Sequence, residues 1–326
     1  ARRRTARRAY DLAHAHGVGA AHGGHDLLKK PKKALRKKTR VLTWAMMPLR
    51  DPSRIKDPVR RMRVQVLNET VQLWRSDHVD KKAQAAANLR RWSENPQRPE
   101  PTEMRVAVVA GDTLDVTLAC TRMFGQMFAC INMANSVNPG GGYRMGCAAQ
   151  EENIARRTQL HFRFNSHVVE SNGRYTQDMQ NLINGVDGEV HLSEQPLICM
   201  RGREKSHESD LGYEHLENDD IFPFLELRSA AVDVAKERRV DAKHVQSLMT
   251  SRIGAQLKTL RQRGIRHVVL SAFGCGAFGN DPTMVAEIYR RALWQHRADF
   301  SVVVFAIYHA GHGKDNFRIF HEILNF

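Results

Sequence analysis

The chain has few cysteines: five in 326 residues, Cys120, Cys130, Cys147, Cys199 and Cys275. An odd, widely spaced set without a CxxC pair excludes a disulfide framework and a cysteine zinc site, and fits free thiols in a reducing compartment. No apolar run approaches the roughly 18 residues of a membrane span, and no signal-peptide apolar stretch is present. HExxH and paired carboxylate–histidine clusters are also missing, so neither a metal nor another cofactor is expected. No internal repeat is found. The chain begins at Ala1, not Met, which is compatible with a targeting segment upstream.

Acidic residues are scarce in one region only. Residues 1–100 hold 25 Lys/Arg against 9 Asp/Glu, a net +16, while residues 101–326 hold 25 against 26. The basicity belongs to the N-terminal third, which points to a polyanionic partner or a targeting arm and says nothing about fold. "ARRRTARRAY" and "KKPKKALRKKTR" are basic clusters flanking a Gly/His-rich stretch. Two readings stay open for them: a solvated tail, or a nuclear localisation or nucleic-acid arm. His14, His16, His22 and His25 lie in a Gly/Ala/His tract that is not read as a metal site.

What is present is an α/β pattern. Residues 1–58 read as a basic, flexible arm. Two helices over 59–92, "VRRMRVQVLNETVQLWRSD" and "KKAQAAANLRRW", form an extension that packs on or links to the body, with a boundary at the Pro-rich 95–103. From 104 onward short strands alternate with helices. "MRVAVVA", "MFACINMA", "QPLICM", "HVVLSAF" and "SVVVFAIY" read as strands; "EENIARRTQLHF", "VQSLMTSRIGAQLKTLRQRG" and "TMVAEIYRRALWQH" read as helices. Continuous Val/Ile/Phe runs between helices predict a sheet covered on both faces.

Two glycine-rich loops interrupt this pattern. "GCGAFG", residues 274–279, matches G-x-G-x-x-G between a strand and a helix. A dinucleotide fingerprint is not supported, because one good strand follows and no acidic residue ends it. A strand-to-helix glycine loop still presents backbone N–H groups suited to a phosphate or diphosphate. The second loop is Gly140-Gly141-Gly142, bracketed by Asn132, Asn135 and Asn138, whose amides suit sugar hydroxyls. Seven residues later stands Gln150-Glu151-Glu152. Glycosidic cleavage needs a carboxyl that protonates the leaving oxygen, with a pKa raised by burial or a second carboxylate and lowered by a helix N-terminus. Adjacent residues on a helix point about 100° apart, so the two carboxylates need not share a role.

Together these motifs resemble a macrodomain, specifically the bacterial-type poly(ADP-ribose) glycohydrolase family, whose signature is GGG, six to eight residues, then QEE. "GDTLD" at 111–115, "INMANSVNPGGG" at 131–142, "GCGAFGNDP" at 274–282 and the strand "VVVFAIY" follow the family's order, over about 104–326. The resemblance implies a three-layer macrodomain-like mixed sheet flanked by helices, with a basic N-terminal helical extension. It implies Glu152 as acid/base, Glu151 and Asn138 holding the ribose, and Gln150 in support. It further implies a diphosphate in the loop Gly274, Cys275, Gly276, Ala277, Phe278 and Gly279, with Phe278 against the ribose, and Asp112 and Tyr308 at the adenine. Where the family often has an Ala/Pro-rich stretch, this chain has "CMRGREKSHESD" at 199–210.

The expected activity is hydrolysis of ribose–ribose bonds in poly(ADP-ribose) without a cofactor. A mono-ADP-ribosyl-protein hydrolase and a non-catalytic ADP-ribose reader are the alternatives. The expected partners are poly(ADP-ribose) or an ADP-ribosylated protein, with nucleic-acid contact through the basic N-terminus and no membrane. A monomer inside the cell, nuclear or cytoplasmic, completes the expectation.

Overall fold

Along residues 302–307, Val302, Val304 and Ala306 join one apolar cluster while Val303, Phe305 and Ile307 join another. That alternation belongs to a strand buried on both sides. The computed structural model of the chain describes residues 49–205, 211–236, 241–308 and 315–324, all within one unit, residues 41–326. The basic clusters, the four histidines before residue 26 and residues 309–314 lie outside the described residues.

Seven strands are found among the described residues: β1 (Arg105–Ala110), β2 (Ala129–Met133), β3 (His191–Leu192), β4 (Leu197–Cys199), β5 (Phe222–Ser229), β6 (His267–Leu270) and β7 (Val302–Ile307). Their order is β1-β7-β6-β2-β5-β3, with β4 also on β5. β1, β7, β6, β2 and β5 run parallel, while β3 and β4 are antiparallel to β5. The sheet is therefore mixed, as expected.

Helices α1 (Pro58–Glu94), α2 (Thr113–Phe124), α3 (Gln150–Arg157), α4 (Gln177–Ile183), α5 (Ala242–Gln262), α6 (Pro282–Gln295) and α7 (Asn316–Leu324) complete the described fold. Residues of α5, α6 and α7 pack on one sheet face with Val268, Leu270 and Phe305. Residues of α1, α2 and α3 pack on the other with Cys130, Val269 and Val304. Three layers result.

The two helices expected over 59–92 are one element of 37 residues, kinked at Asp77, whose φ of −133° is non-helical. Its start follows the rules: Asp57 accepts the Arg60 amide at 2.8 Å and Pro58 occupies the first position. Leu67, Val71 and Trp92 bury its inner face in the same cluster as Leu114 and Ile154. Asp281 caps α6 and Pro282 begins it.

Because the central strands are parallel, the segments that leave their carboxyl ends gather at one edge. β2 and β6 are neighbours there. The chain leaving β2 goes on toward β5, and the chain leaving β6 goes on to β7 on the opposite side. Such a reversal opens a crevice at the carboxyl edge of an α/β sheet. The two glycine loops follow these two strands.

Candidate active site

Gln150 begins α3 with no side chain capping the helix from Ala149. Its own amide does the fastening. Oε1 accepts the Met133 N–H at 2.9 Å, and Nε2 donates to the Ile131 carbonyl at 2.6 Å and to Thr113 Oγ1 at 3.3 Å. The helix start is thereby stapled to the end of β2, and Glu151 and Glu152 are swung toward the triple-glycine loop.

Both carboxyls are buried, Glu151 at 3% and Glu152 at 7% exposure. Glu151 Oε2 accepts the Asn135 N–H at 2.8 Å, and Glu152 Oε1 accepts the Gly142 N–H at 2.8 Å. Both converge on Gly141. A β-carbon there would stand 2.5 Å from Glu152 Oε1 and 3.1 Å from Glu151 Oε2, and the backbone φ of +58° itself favours glycine. Consecutive residues on one helix thus share a single target. Burial, then the charge of Glu152, push the Glu151 carboxyl well above the usual carboxylate range, against the pull of the Asn135 amide and Arg228. Glu151 Oε1 has no partner among the described residues, and Oε2 of Glu152 takes no hydrogen bond from them.

The asparagines divide. Asn135 closes its own turn, accepting from the amides of Val137 and Asn138 at 2.9 and 2.7 Å. Asn138 is exposed at the loop. Asn132 does not offer an amide to a sugar: fully buried, it donates to Glu226 Oε1 at 2.6 Å.

Across the crevice, Asn280 ties the second loop together. Its Nδ2 donates to the carbonyls of Val232 at 2.7 Å and Gly274 at 3.0 Å. The Ala235 amide donates to the Phe278 carbonyl at 3.1 Å, which joins this loop to the segment after β5. Cys275 N–H and Gly279 N–H bond within the loop, whereas the amides of Gly276, Ala277 and Phe278 donate to no acceptor among the described residues. Gly276 and Ala277 are exposed and Phe278 is half-buried.

At the end of β1, Asp112 caps α2, accepting the amides of Leu114 and Asp115 at 2.9 and 3.1 Å. Arg157, buried at the end of α3, donates to Asp112 at 2.5 Å and Asp115 at 2.6 Å. Burial raises the Asp112 pKa, but Arg157 and the two amides outweigh it and hold the carboxylate below its ordinary value. Tyr308, half exposed, follows β7 beside this turn, where the Gly111 amide donates to the Ile307 carbonyl. Asn132 apart, the residues expected at the site stand on loops or helix starts that follow the carboxyl ends of the strands. Arg157 and Asn280, which organise it, were not anticipated. A buried arginine inside "ENIARR" carries no signal that separates it from an exposed one.

Residues 29–181, a span that includes both the triple glycine and Gln150-Glu151-Glu152, match the family model described as microbial-type PARG, catalytic domain. Over that span, a little under half of its length, the chain is similar to the microbial-type PARG family. This family hydrolyses glycosidic bonds of poly(ADP-ribose). Solved PARG structures share the fold. One is poly(ADP-ribose) glycohydrolase from Thermomonospora curvata, 22% identical, with a TM-score of 0.58 and coverage of 80% of this chain and 98% of that one. The same enzyme bound to the inhibitor ADP-HPD gives 22%, 0.56, 80% and 98%. The enzyme from Deinococcus radiodurans in complex with ADP-ribose is 23% identical, with a TM-score of 0.52 over 73% of this chain and 90% of that one. No curated protein matches the chain in sequence. No helix among the described residues is long and apolar enough to cross a membrane.

Proposed function

We propose that the chain cleaves the ribose–ribose bonds of poly(ADP-ribose) and releases ADP-ribose, with Glu152 as general acid and then general base. The observation that carries the assignment is the convergence of both carboxyls on Gly141, with one oxygen of Glu152 held by the Gly142 amide and the other left for substrate. Protonated Glu152 gives its proton to the departing ribose oxygen as the anomeric C–O bond breaks. The electron-poor anomeric carbon is offset by the substrate's own diphosphate, gripped by the amides of Gly276, Ala277 and Phe278. Glu152, now a carboxylate, takes a proton from water while the water oxygen bonds the anomeric carbon. Products are ADP-ribose and a polymer shorter by one unit, and the proton count closes.

Glu151 plays a different part. Burial, then the charge of Glu152, favour its protonated form, whose O–H can donate to a ribose hydroxyl while the other oxygen accepts. Asn138 stands at the same sugar. Asp112 and Tyr308, together at the far end of the crevice, take the adenine. ADP-ribose and ADP-HPD occupy the solved relatives, and ligands of this class suit two amide-rich loops facing one crevice.

The test is release of ADP-ribose from labelled polymer by wild type, Glu152→Gln and Glu151→Gln. Glu152→Gln is expected to lose roughly 10²- to 10⁴-fold in turnover while still binding ADP-ribose. Release from mono-modified protein but not from polymer moves the assignment to the other linkage. Binding without turnover by wild type makes the chain a reader.

A further inference from the structure

The start of α1 is pressed onto the turn that joins the triple glycine to Gln150-Glu151-Glu152. Gly146, with a φ of +70°, lies so close to α1 that an added β-carbon would be 2.3 Å from the Arg60 carbonyl oxygen. Arg63 reaches over Gly146, donating to its carbonyl at 3.4 Å, and fixes itself on Glu204 through contacts of 2.6 and 3.0 Å. Arg50 donates to the sulfur of Met145. The turn is short: the Gly142 carbonyl accepts from Met145 and Cys147 at 2.9 and 3.3 Å, while the Gly142 amide holds Glu152.

Four cations stand on this corner: Arg50, Lys56, Arg60 and Arg61. Lys56, Arg60 and Arg61 are exposed and Arg50 is half-buried. None has an acidic side-chain partner among the described residues. The acids close to them are committed elsewhere. Asp51 binds Ser53 and Arg54, Asp57 caps α1, and Glu204 is taken by Arg63 and Tyr213. The body from residue 101 onward is electrically balanced, so a positive corner beside the catalytic loop is not a general property of the surface.

We infer that this corner binds the phosphates of the poly(ADP-ribose) chain beyond the unit being cleaved. The inference rests on the proposed activity and extends it, assigning substrate-binding residues outside the ADP-ribose crevice. Arg61 Nε donates to the Ile55 carbonyl at 3.0 Å and Arg50 to the Met145 sulfur, neutral acceptors that leave both charges uncompensated. Each repeat of the polymer carries a diphosphate, and guanidinium and ammonium groups without an acidic partner are the chemistry that recognises one. Such contacts make binding steeply salt-dependent through counterion release. They act on the polymer and leave a lone ADP-ribose unit untouched.

The experiment compares the full chain carrying Lys56→Gln, Arg60→Gln and Arg61→Gln with the unmodified chain, both in the non-hydrolysing Glu152→Gln background. Dissociation constants are measured for long poly(ADP-ribose), free ADP-ribose and double-stranded DNA across a salt series. Affinity for the polymer is expected to fall about ten-fold or more, with the log–log salt slope reduced by about 2 to 3, and ADP-ribose binding unchanged. Unchanged polymer affinity and slope overturn the inference. A parallel loss of ADP-ribose affinity overturns it too, because the crevice itself is then disturbed. Loss confined to DNA assigns the corner to nucleic acid instead. If polymer binding depends on the corner but wild type does not cleave polymer, the proposed activity falls and the surface stands.

Discussion

Gly141 and Glu152 meet so closely that the one has no room for a side chain: a β-carbon on Gly141 would lie 2.5 Å from Oε1 of Glu152. Gly141→Ala must displace the carboxyl or the loop, and it also places a side chain at a φ of +58°. Turnover of polymer is expected to fall by about two orders of magnitude, since displacements near 1 Å cost that much. The melting temperature should drop by only a few degrees. Full activity of the alanine variant would show that the contact does not position the acid.

Glu151 makes the site a weak point in stability. Its pKa is raised in the folded chain, so the folded state binds the proton more tightly than the unfolded state does. Stability from this group is complete below the ordinary glutamate pKa and is lost as pH rises through the raised value. Glu151→Gln removes the ionisation while keeping an acceptor for the Asn135 amide. The variant is expected to be more stable than wild type at pH 7.5 by about 1 kcal/mol, a few degrees in melting temperature, with the gain vanishing near pH 4. Denaturant melts at both pH values check the sign.

The motifs of the candidate site stand out in the sequence more plainly than some strands of the fold do. Gly140, Gly141, Gly142 and Gln150-Glu151-Glu152 announce themselves because close backbone approach leaves only glycine possible and because buried acids are rare. Strands β6 and β7 were legible for the same physical reason, their runs of Val, Leu and Phe being buried on both faces. β5 was not. Its sequence, "FPFLELRS", has a proline and alternating charges, and reads as a polar segment until Glu226 and Arg228 are seen to satisfy each other inside the body. The two-residue β3 and the short α4 are made by tertiary contacts, with no periodicity long enough to show them. α2 hides behind "GDTLD": Asp112 was read as a ligand residue, and its capping of the helix went unseen.

His191 gives the chain an acid limit. Burial first, then the positive charge of Arg228, lower its pKa to about 4, with Glu226 opposing and Arg163 and Arg263 adding. The unfolded chain binds this proton near pH 6.5 and the folded chain does not, so stability is lost as pH falls from about 6.5 to about 4. The size is on the order of 3 kcal/mol. His191→Asn should flatten the dependence in that window and leave stability at pH 7.5 within about 1 kcal/mol. A wild-type stability that stays level down to pH 4.5 would refute the cause.

Arg228 is the residue whose partner matters most to the fold behind the site. Its guanidinium donates to both oxygens of Glu226, at 2.9 and 2.8 Å, and both side chains are 1% exposed. The Arg228 guanidinium carbon lies over the Phe164 and Tyr175 rings, 5.3 and 5.8 Å from their centroids, and Phe164 in turn sits beneath Gly140. Removing the carboxylate alone leaves a buried cation without a counter-charge, a change worth about 3–5 kcal/mol. Glu226→Ala is therefore expected to lower stability by that amount and to loosen the triple-glycine loop. Replacing both partners, as Glu226→Leu with Arg228→Met, removes the stranded charge along with the attraction and should recover most of the loss. Urea titrations of Glu226→Leu, Arg228→Met and the double form the cycle, with Glu226→Ala measured alongside. Recovery in the double identifies the buried charge as the cost in Glu226→Ala, while a double variant as unstable as the singles would show that the contacts of Arg228 with the Phe164 and Tyr175 rings, not the charge pair, hold this part of the fold.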